Sequence, residues 1–391
     1  MDDPRLQRWA RSGAMALTGL PDRPLGPPEA LVEGVERLAG PWSGLDALAL
    51  LGERAALMGL WRRGRVSCGG SCRLLPSGEG WMAVSLPRGE DLESVPAWLE
   101  LDEPPATTPA TWSAVARTLA SRDPSELMER AWLLGLPVAR VGEAAGTAAV
   151  TKVALGSAPA RDPANLLVAD LSALWAGPLC GDLLAAAGAH VVKVESTGRP
   201  DGARRGPAGF FDLLNGRKRS AALDFSAAQG ARLLREIVQR ADVVIEASRP
   251  RALAQLGIDA ERAVRSGRPQ VWVSITGYGR AGERVAFGDD AAAAGGLVVW
   301  HEDSPMFCAD AVADPLTGVT AAGACLEALA GGGRWLLDVS MAGVCAALAG
   351  PTLPASRRLP LEPPRARPVT RPAPGLGEDT AEVLAELGLR M

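Results

Sequence analysis

The chain has 391 residues, and its 41 Lys and Arg against 45 Asp and Glu give a formal net charge of −4. This balance provides no basic surface for nucleic acid, while 47% hydrophobic residues are enough to bury a sizeable core. We find no run of the ~20 apolar residues that a membrane span needs and no secretory signal at the N-terminal end. Six scattered cysteines are typical of reduced thiols. We therefore expect a cytoplasmic, multi-domain protein without membrane or nucleic-acid partners.

Residues 1–150 are predicted to form a smaller domain. They hold seven of the eleven tryptophans and several stretches broken by Pro and Gly. A helical pattern follows Trp112, and Ser125 is a candidate cap for a short helix within it. Residues 151–165 are polar and small, which predicts a linker.

From residue 166 onward the pattern is that of an α/β fold. Helical patterns at 177–188, 226–241 and 314–330 alternate with short apolar runs, and such alternation predicts a parallel sheet that is covered on both faces. The apolar runs are 166–172, 190–196, 242–248, 271–277 and 334–340. We assign 166–350 to a large α/β domain, and 351–391 to an extended Pro- and Arg-rich tail with a terminal helix.

Several common site types are disfavoured. The turn after the first predicted strand lacks the glycine pattern of a dinucleotide site. Cys68 and Cys72 have no second pair of metal ligands nearby, so no metal is expected. The two histidines, His190 and His301, are not accompanied by a nucleophile elbow, which disfavours a Ser-His-Asp triad.

Asp314 stands directly before Pro315 and an Ala-rich helical pattern. Such a pair is typical of a helix N-cap followed by proline, which stabilises a fold by ~1 kcal/mol. A carboxylate kept ionised at a helix N-terminus can also act as a covalent nucleophile on a thioester. The residues alone leave four competing carboxylates, Asp289, Asp290, Asp310 and Asp338.

The second part of the chain resembles class III CoA-transferases of the formyl-CoA and carnitine-CoA type. The resemblance covers about 165–350 and is carried by VADLSALWAGPLCGDLLAAAGAHVVKVES, LLNGRKRSAALDF, ADVVIEASRPRALAQLGID, VWVSITGYGRAG and VADPLTGVTAA. It implies a Rossmann-like large domain of parallel strands, a smaller α+β domain and a homodimer. It also implies an acyl-CoA and a carboxylate acceptor as substrates, with no prosthetic group.

The resemblance gives Asp314 a role, because ADPLTG matches the family element that carries the nucleophile. In such enzymes this Asp attacks an acyl-CoA to form an acyl-aspartyl anhydride. The CoA thiolate converts the anhydride to an aspartyl-CoA thioester, and the acceptor carboxylate then takes the CoA.

Contacts to CoA are also expected from the resemblance. Arg249 matches a position near the CoA phosphates, and Ser248 precedes it at a strand end where ligands bind in parallel sheets. Arg284 is another candidate phosphate contact, Lys193 lies in a matched strand, and Trp175 stands where other members place a polar residue near the acyl group. Gln255 replaces a basic residue that some members use to bind CoA, whereas Tyr278, Trp300 and Met306 are candidates for contact with the ligand.

The first half resembles the small domain of the same family, although in these enzymes that domain follows the large one. The chain is thus interpreted as a rearranged member, which leaves two alternatives open. A racemase of the α-methylacyl-CoA type would need a second base, but Gly288 stands where such enzymes have a His. A non-catalytic CoA-binding homologue is the other alternative.

Overall fold

The computed structural model describes residues 3–42, 44–78, 80–248, 250–355 and 359–390. Its helices are α1 (Pro4–Arg11), α2 (Leu31–Leu38), α3 (Glu53–Met58), α4 (Gly89–Leu99), α5 (Thr108–Ser121), α6 (Pro124–Leu133), α7 (Ala176–Ala186), α8 (Ala208–Asn215), α9 (Ala228–Arg240), α10 (Pro250–Gln255), α11 (Ala260–Ser266), α12 (Gly288–Ala294), α13 (Ala313–Gly331), α14 (Met341–Ala346) and α15 (Thr380–Glu386). None of the described helices is long and apolar enough to cross a membrane.

The strands are β1 (Gly19–Leu20), β2 (Arg23–Pro24), β3 (Cys72–Ser77), β4 (Gly80–Ser85), β5 (Val138–Arg140), β6 (Val150–Gly156), β7 (Leu167–Asp170), β8 (His190–Ser196), β9 (Arg219–Leu223), β10 (Val243–Glu246), β11 (Val271–Thr276), β12 (Val298–His301), β13 (Ser304–Phe307) and β14 (Arg334–Ser340).

A seven-stranded sheet with the order β6-β14-β11-β10-β7-β8-β9 forms the centre of the second half. All neighbouring strands are parallel except β6 and β14. The α/β fold is therefore confirmed, and β7, β8, β10, β11 and β14 lie within the predicted apolar runs. The prediction lacked β9, because its sequence RSAAL has none of the β-branched or aromatic residues that indicate a strand.

The predicted linker contains a strand. Residues 150–156 form β6, which pairs antiparallel with β14 at the edge of the large sheet. Only Leu155 of this strand is buried, so the sequence shows no apolar alternation there. The start of the linker thus belongs to the sheet, whereas the division of the chain into domains stays a prediction.

The first half contains a three-stranded antiparallel sheet of β3, β4 and β5. Trp98 from α4, Trp112 from α5 and Leu127 from α6 share one buried core with this sheet. The cap of α6 is Asp123, whose carboxylate accepts hydrogen bonds from the amides of Ser125 and Glu126, so the prediction that Ser125 caps this helix was wrong. Proline favours the first helical position, which places the cap one residue before Pro124.

The strand order reverses between β7 and β10. The chain continues from β7 to β8 and β9 on one side, and then returns to β10, β11 and β14 on the other. In parallel sheets the crevice at such a point, beyond the carboxyl ends of the strands, is where ligands bind. The loop from β7 into α7 and the residues after β10 meet at this crevice.

Residues 359–377 form what we call the C-terminal strap, which has no helix or strand and joins both halves. Gly13 lies so close to the strap that a Cβ there would stand 2.4 Å from Cα of Pro364. In the second half, a Cβ at Gly216 would likewise stand 2.5 Å from the carbonyl oxygen of Arg371. The tail is extended as predicted, but it is seated between the two halves.

Candidate active site

Asp314 is the second residue of α13, which begins at Ala313. The N-cap is Val312 and has no side-chain cap hydrogen bond, so the interpretation of Asp314 as the cap is wrong. The carboxylate instead faces the backbone amide of Ala176, the first residue of α7, and this amide lowers its pKa. The N-terminus of a helix attracts negative charge because its amides have no partners within the helix. A carboxylate from one helix is therefore held at the N-terminus of another.

Two further carboxylates and one guanidinium surround Asp314. Arg54, the second residue of α3, pairs with Asp310 through two hydrogen bonds, Nε to Oδ2 at 2.8 Å and Nη2 to Oδ1 at 2.6 Å. Asp289 of α12 accepts a hydrogen bond from the amide of Ala311 at 3.1 Å and another from Ser67. Arg54 and Ser67 belong to the first half, so both halves build this cluster.

The protonation of the cluster follows from burial and from these charges. Burial raises the pKa of Asp314 to about 7. The positive charge of Arg54 lowers this pKa, whereas the negative charges of Asp289 and Asp310 raise it further. Burial, with Asp310 nearby, likewise raises the pKa of Asp289 to about 6. Asp314 forms no ion pair with any described residue, because the guanidinium beside it is already paired with Asp310. At neutral pH Asp314 is therefore ionised for part of the time, a property that residues at functional sites often have.

The loop before Asp314 has a strained backbone. Ala309 and Ala311 have φ of 56° and 43°, in the left-handed region that residues other than glycine rarely adopt. The amide of Ala309 donates to Oγ1 of Thr18 at 3.0 Å, and the amide of Ala311 is held by Asp289. These bonds keep Asp310 and Asp314 in place at the cost of local strain.

Gly288 lies against the carboxylate of Asp314. A Cβ at Gly288 would stand 2.3 Å from Oδ2 of Asp314 and 2.4 Å from the carbonyl oxygen of Ala311. No side chain fits there without moving the loop. A second base cannot project from this position toward the substrate.

Trp175 lies directly before Ala176 and is buried. The Arg54 guanidinium stands 5.5 Å from the centre of its ring, and Phe210 meets it edge-on at 5.2 Å. Its Nε1 has no hydrogen-bond partner among the described residues. Trp175 and Asp314 are thus brought to the same end of α7, and a contact of Trp175 with the acyl group stays a prediction.

Lys193 is buried and ion-paired. Its Nζ lies 2.8 Å from Oδ2 of Asp201 and donates to the carbonyl of Ser172 at 2.9 Å. Asp201 also accepts a hydrogen bond from the amide of Leu174, which has a φ of 70°. In this structure Lys193 therefore shapes the loop that leads to Trp175.

The other predicted CoA contacts are Ser248, Arg249 and Arg284. Ser248 follows β10 at the crevice and is partly exposed, while Arg249 lies outside the described residues. Arg284 pairs with Glu143 at 2.5 Å and stacks on Tyr278, with its guanidinium 3.6 Å from the ring centre. Arg284 connects this loop to the first half, and it would have to exchange partners to bind a phosphate.

Arg54 is the site residue that sequence reasoning missed. It lies in GERAALMGLWRRGRVSCGGSC, a segment that resembles part of the small domain but contains many arginines. No spacing or motif distinguishes Arg54 from Arg62, Arg63 or Arg65. Only the fold shows which arginine meets the carboxylates. Within the described residues, no group of three or more His, Cys, Asp or Glu is arranged to hold a metal ion.

Comparison with known proteins places this site in a family. Residues 164–380 match the family described as CoA-transferase family III, which is more than half of the chain. An acyl-CoA transferase of Fusarium pseudograminearum is 33% identical over 186 residues, covering 42% of this chain and 41% of that protein. A succinate–glutarate CoA-transferase of Agrobacterium fabrum is 34% identical over 193 residues, covering 44% and 48%.

Among solved structures, a CAIB/BAIF family protein from Brucella suis is 30% identical and covers 49% of this chain and 56% of that one, with a TM-score of 0.44. The matched region spans less than half of the length of these two curated relatives. The family match over residues 164–380 contains Asp314, Asp289, Trp175 and the crevice, whereas Arg54 lies outside it. The extent of the family match shows that the chain belongs to CoA-transferase family III.

Proposed function

We propose that the protein is a CoA-transferase that moves CoA from an acyl-CoA donor to a carboxylic acid through covalent intermediates on Asp314. One observation carries the proposal: Asp314 has no ion-pair partner among the described residues, and its carboxylate lies at the N-terminus of α7. Its raised pKa, near 7, makes it a stronger nucleophile than an ordinary carboxylate while leaving a useful fraction ionised.

The reaction balances without a cofactor. An Asp314 oxygen attacks the thioester carbonyl, the C–S bond breaks, and CoA leaves as a thiolate from an acyl-aspartyl anhydride. The thiolate attacks the Asp314 carbonyl and releases the donor acid, which leaves an aspartyl-CoA thioester. The acceptor carboxylate attacks this thioester to give a second anhydride and free thiolate. The thiolate then attacks the acceptor carbonyl, which forms the new acyl-CoA and regenerates Asp314.

The amide of Ala176 supports the steps in which the Asp314 carbonyl is attacked. Negative charge develops on an Asp314 oxygen in those steps, and a fixed backbone donor at a helix N-terminus stabilises it without reorganisation. Arg54 assists the first step by favouring the anion of Asp314. The CoA moiety is proposed to lie in the crevice between β7 and β10 with Ser248 beside it, and a contact of Arg249 with the CoA phosphates stays a prediction.

The racemase alternative lacks a second base. Removing and returning an α-proton from opposite faces requires two groups, but Gly288 has no room for a side chain beside Asp314. Asp289 does not replace the missing His, because one of its oxygens holds the amide of Ala311 and the side chain lies within the carboxylate cluster. A CoA-binding protein without activity remains an alternative that the following experiment separates.

The test is covalent trapping. The protein is incubated with a panel of acyl-CoA thioesters, hydroxylamine is added, and the peptide that contains Asp314 is examined by mass spectrometry. We expect a hydroxamate on Asp314 and none in the Asp314→Ala variant. A hydroxamate on Asp289 or Asp310 would show that the nucleophile is misassigned. Measurable CoA binding without any adduct would favour the non-catalytic alternative.

Assembly is a separate proposal. From the family we expect a homodimer, and mass photometry of the purified chain tests this directly. A single species at the monomer mass of 40.5 kDa would contradict it.

A further inference from the structure

A buried ion pair connects the C-terminal strap to the helix that carries Arg54. Glu53, the first residue of α3, has no exposed surface. Arg367 of the strap donates to it through Nε at 2.6 Å, through Nη2 at 3.2 Å and through its backbone amide at 3.1 Å. A carboxylate buried in this way depends on its partner, because an unpaired buried charge is strongly unfavourable.

The same guanidinium also reaches α7. Nη1 of Arg367 donates to Oδ2 of Asp182 at 3.1 Å, and the other oxygen of Asp182 is paired with Arg217 at 2.7 Å. One side chain therefore joins the start of α3 to the middle of α7. These are the two helices that direct Arg54 and the amide of Ala176 at the site.

The strap packs closely against the residues around these helices. A Cβ at Gly52, directly before α3, would stand 3.1 Å from Cβ of Pro364, and Gly13 is packed even closer to the same residue. On the other side of Arg367, the guanidinium of Arg371 donates to the carbonyl of Gly216. Contacts thus lie on both sides of Arg367 along the strap, one set in each half of the chain.

We propose that Arg367 is a positioning residue for the transfer reaction: by holding α3 against α7, it makes Arg54 and the amide of Ala176 converge on Asp314. The inference rests on the proposed function, since it concerns the nucleophile of that reaction. The groups that set the charge of Asp314 are Arg54 from α3, Asp289 from α12 and Asp310 from the loop, with the Cys345 thiol of α14 nearby. Of these, Arg54 is the one whose helix Arg367 holds.

The strap provides a matched control for a variant at Arg367. Arg365 lies two residues away and is also ion-paired, but its partners Asp46 and Glu362 are about half exposed. Surface pairs of this kind contribute little. Arg365→Gln should therefore leave both activity and the titration of Asp314 unchanged.

The experiment compares Arg367→Gln and Arg367→Lys with Arg365→Gln in the full-length protein. The pKa of Asp314 is measured by infrared spectroscopy of its carboxyl group at a series of pH values. The signal of Asp314 is isolated by subtracting the spectrum of the same protein carrying Asp314→Asn. With Arg54 displaced, we expect this pKa to rise by roughly one unit in Arg367→Gln. We also expect kcat at pH 7 to fall roughly tenfold with KM for the acyl-CoA unchanged, and Arg367→Lys to recover part of both.

A second variant covers the case in which Arg367→Gln does not fold, since that change leaves Glu53 buried and unpaired. Glu53→Gln/Arg367→Gln removes both charges, and Asp182 retains Arg217. If the folded variants lower only thermal stability and leave the pKa of Asp314 and kcat unchanged, the positioning role is refuted. Absence of transferase activity in the unmodified protein would refute the proposed function. The infrared titration needs no turnover, so the pKa of Asp314 in the Arg367 variants would still test the positioning role.

Discussion

Two carboxylates lie near α7 and have opposite properties. Asp170, at the end of β7, is fully buried and pairs with Nζ of Lys218 at 2.7 Å. Burial alone would raise the pKa of Asp170, but Lys218 and then Lys193 lower it below its ordinary value. Burial raises the pKa of Asp314 to about 7, and Arg54, which is engaged by Asp310, lowers it only in part.

The difference shows how one fold keeps a carboxylate with an ion-pair partner close to one that has no such partner among the described residues. Lys218 also donates to the carbonyl of Pro178 and to the side chain of Asn215, so Asp170 belongs to a satisfied network that fixes the start of α7. The carboxylate of Asp314 faces one backbone amide at that helix start, and the residue keeps some exposed surface. A charge with all of its partners in place stabilises the fold, whereas a charge without a counterion is available for chemistry.

The largest expected effect is on activity at Asp314. Replacing it with Ala removes the nucleophile, so kcat should fall by roughly 10⁴-fold or more, while circular dichroism and CoA binding stay as in the unmodified protein. Steady-state transfer assays measure this change. Comparable transfer by Asp314→Ala would show that another group forms the covalent intermediate.

The second carboxylate, Asp170, should affect the stability of the fold. Lys218→Met leaves Asp170 buried without its counterion, and the free energy of unfolding should fall by about 3–5 kcal/mol. The double variant Asp170→Asn/Lys218→Met should recover much of the loss, because no unpaired charge remains. Urea unfolding of both variants provides the comparison, and equal stability of the single and double variants would contradict this role for the pair.

Ionisation of Asp314 should lower the stability of the fold, and the direction of this pH dependence follows from the pKa of Asp314. Because the folded pKa of about 7 lies above the unfolded value of about 4, the folded state holds a proton that the unfolded state releases between these two pH values. The contribution of Asp314 to the free energy of unfolding is therefore full below about pH 4 and is lost as the pH rises to 7.

Asp314→Asn removes this dependence. With allowance for the partial exposure of Asp314, the variant should be more stable than the unmodified protein by about 2 kcal/mol at pH 8 and similar to it at pH 4. Urea unfolding at both pH values tests this difference. The kcat of the unmodified protein should rise with pH through about 7, since the anion is the nucleophile, and a flat pH profile would argue against that role.

The smallest expected effect concerns Arg54. Arg54→Lys keeps the charge but loses the two-pronged contact with Asp310, so we expect kcat to fall roughly tenfold with the fold retained. Arg63→Lys, in the same segment, is the matched control and should change neither kcat nor stability. An unchanged kcat in Arg54→Lys would mean that only the charge of Arg54 matters at the site.

Prediction from the sequence was most accurate where one residue pattern determines one local structure. β8 and β14 were predicted with the same bounds as in the structure, because buried parallel strands are continuous apolar runs. The start of α13 was predicted within one residue, but the role of Asp314 as its cap was wrong. An Asp–Pro pair indicates a helix start without showing whether the carboxylate bonds to its own helix or to another.

The sequence by itself determined the α/β class, five of the seven strands of the large sheet and the family resemblance, since each depends on local periodicity or on an ordered series of motifs. It also indicated Asp314 as the candidate nucleophile and Gly288 as the residue at the position of the racemase His. Tertiary structure decided which of the 41 basic residues faces the carboxylates and which helix N-terminus receives Asp314. It also decided that Arg367 bridges Glu53 and Asp182. These pairs are separated by more than 100 residues along the chain, and charge pairing over such separations is set by packing, which leaves no periodic pattern in the sequence.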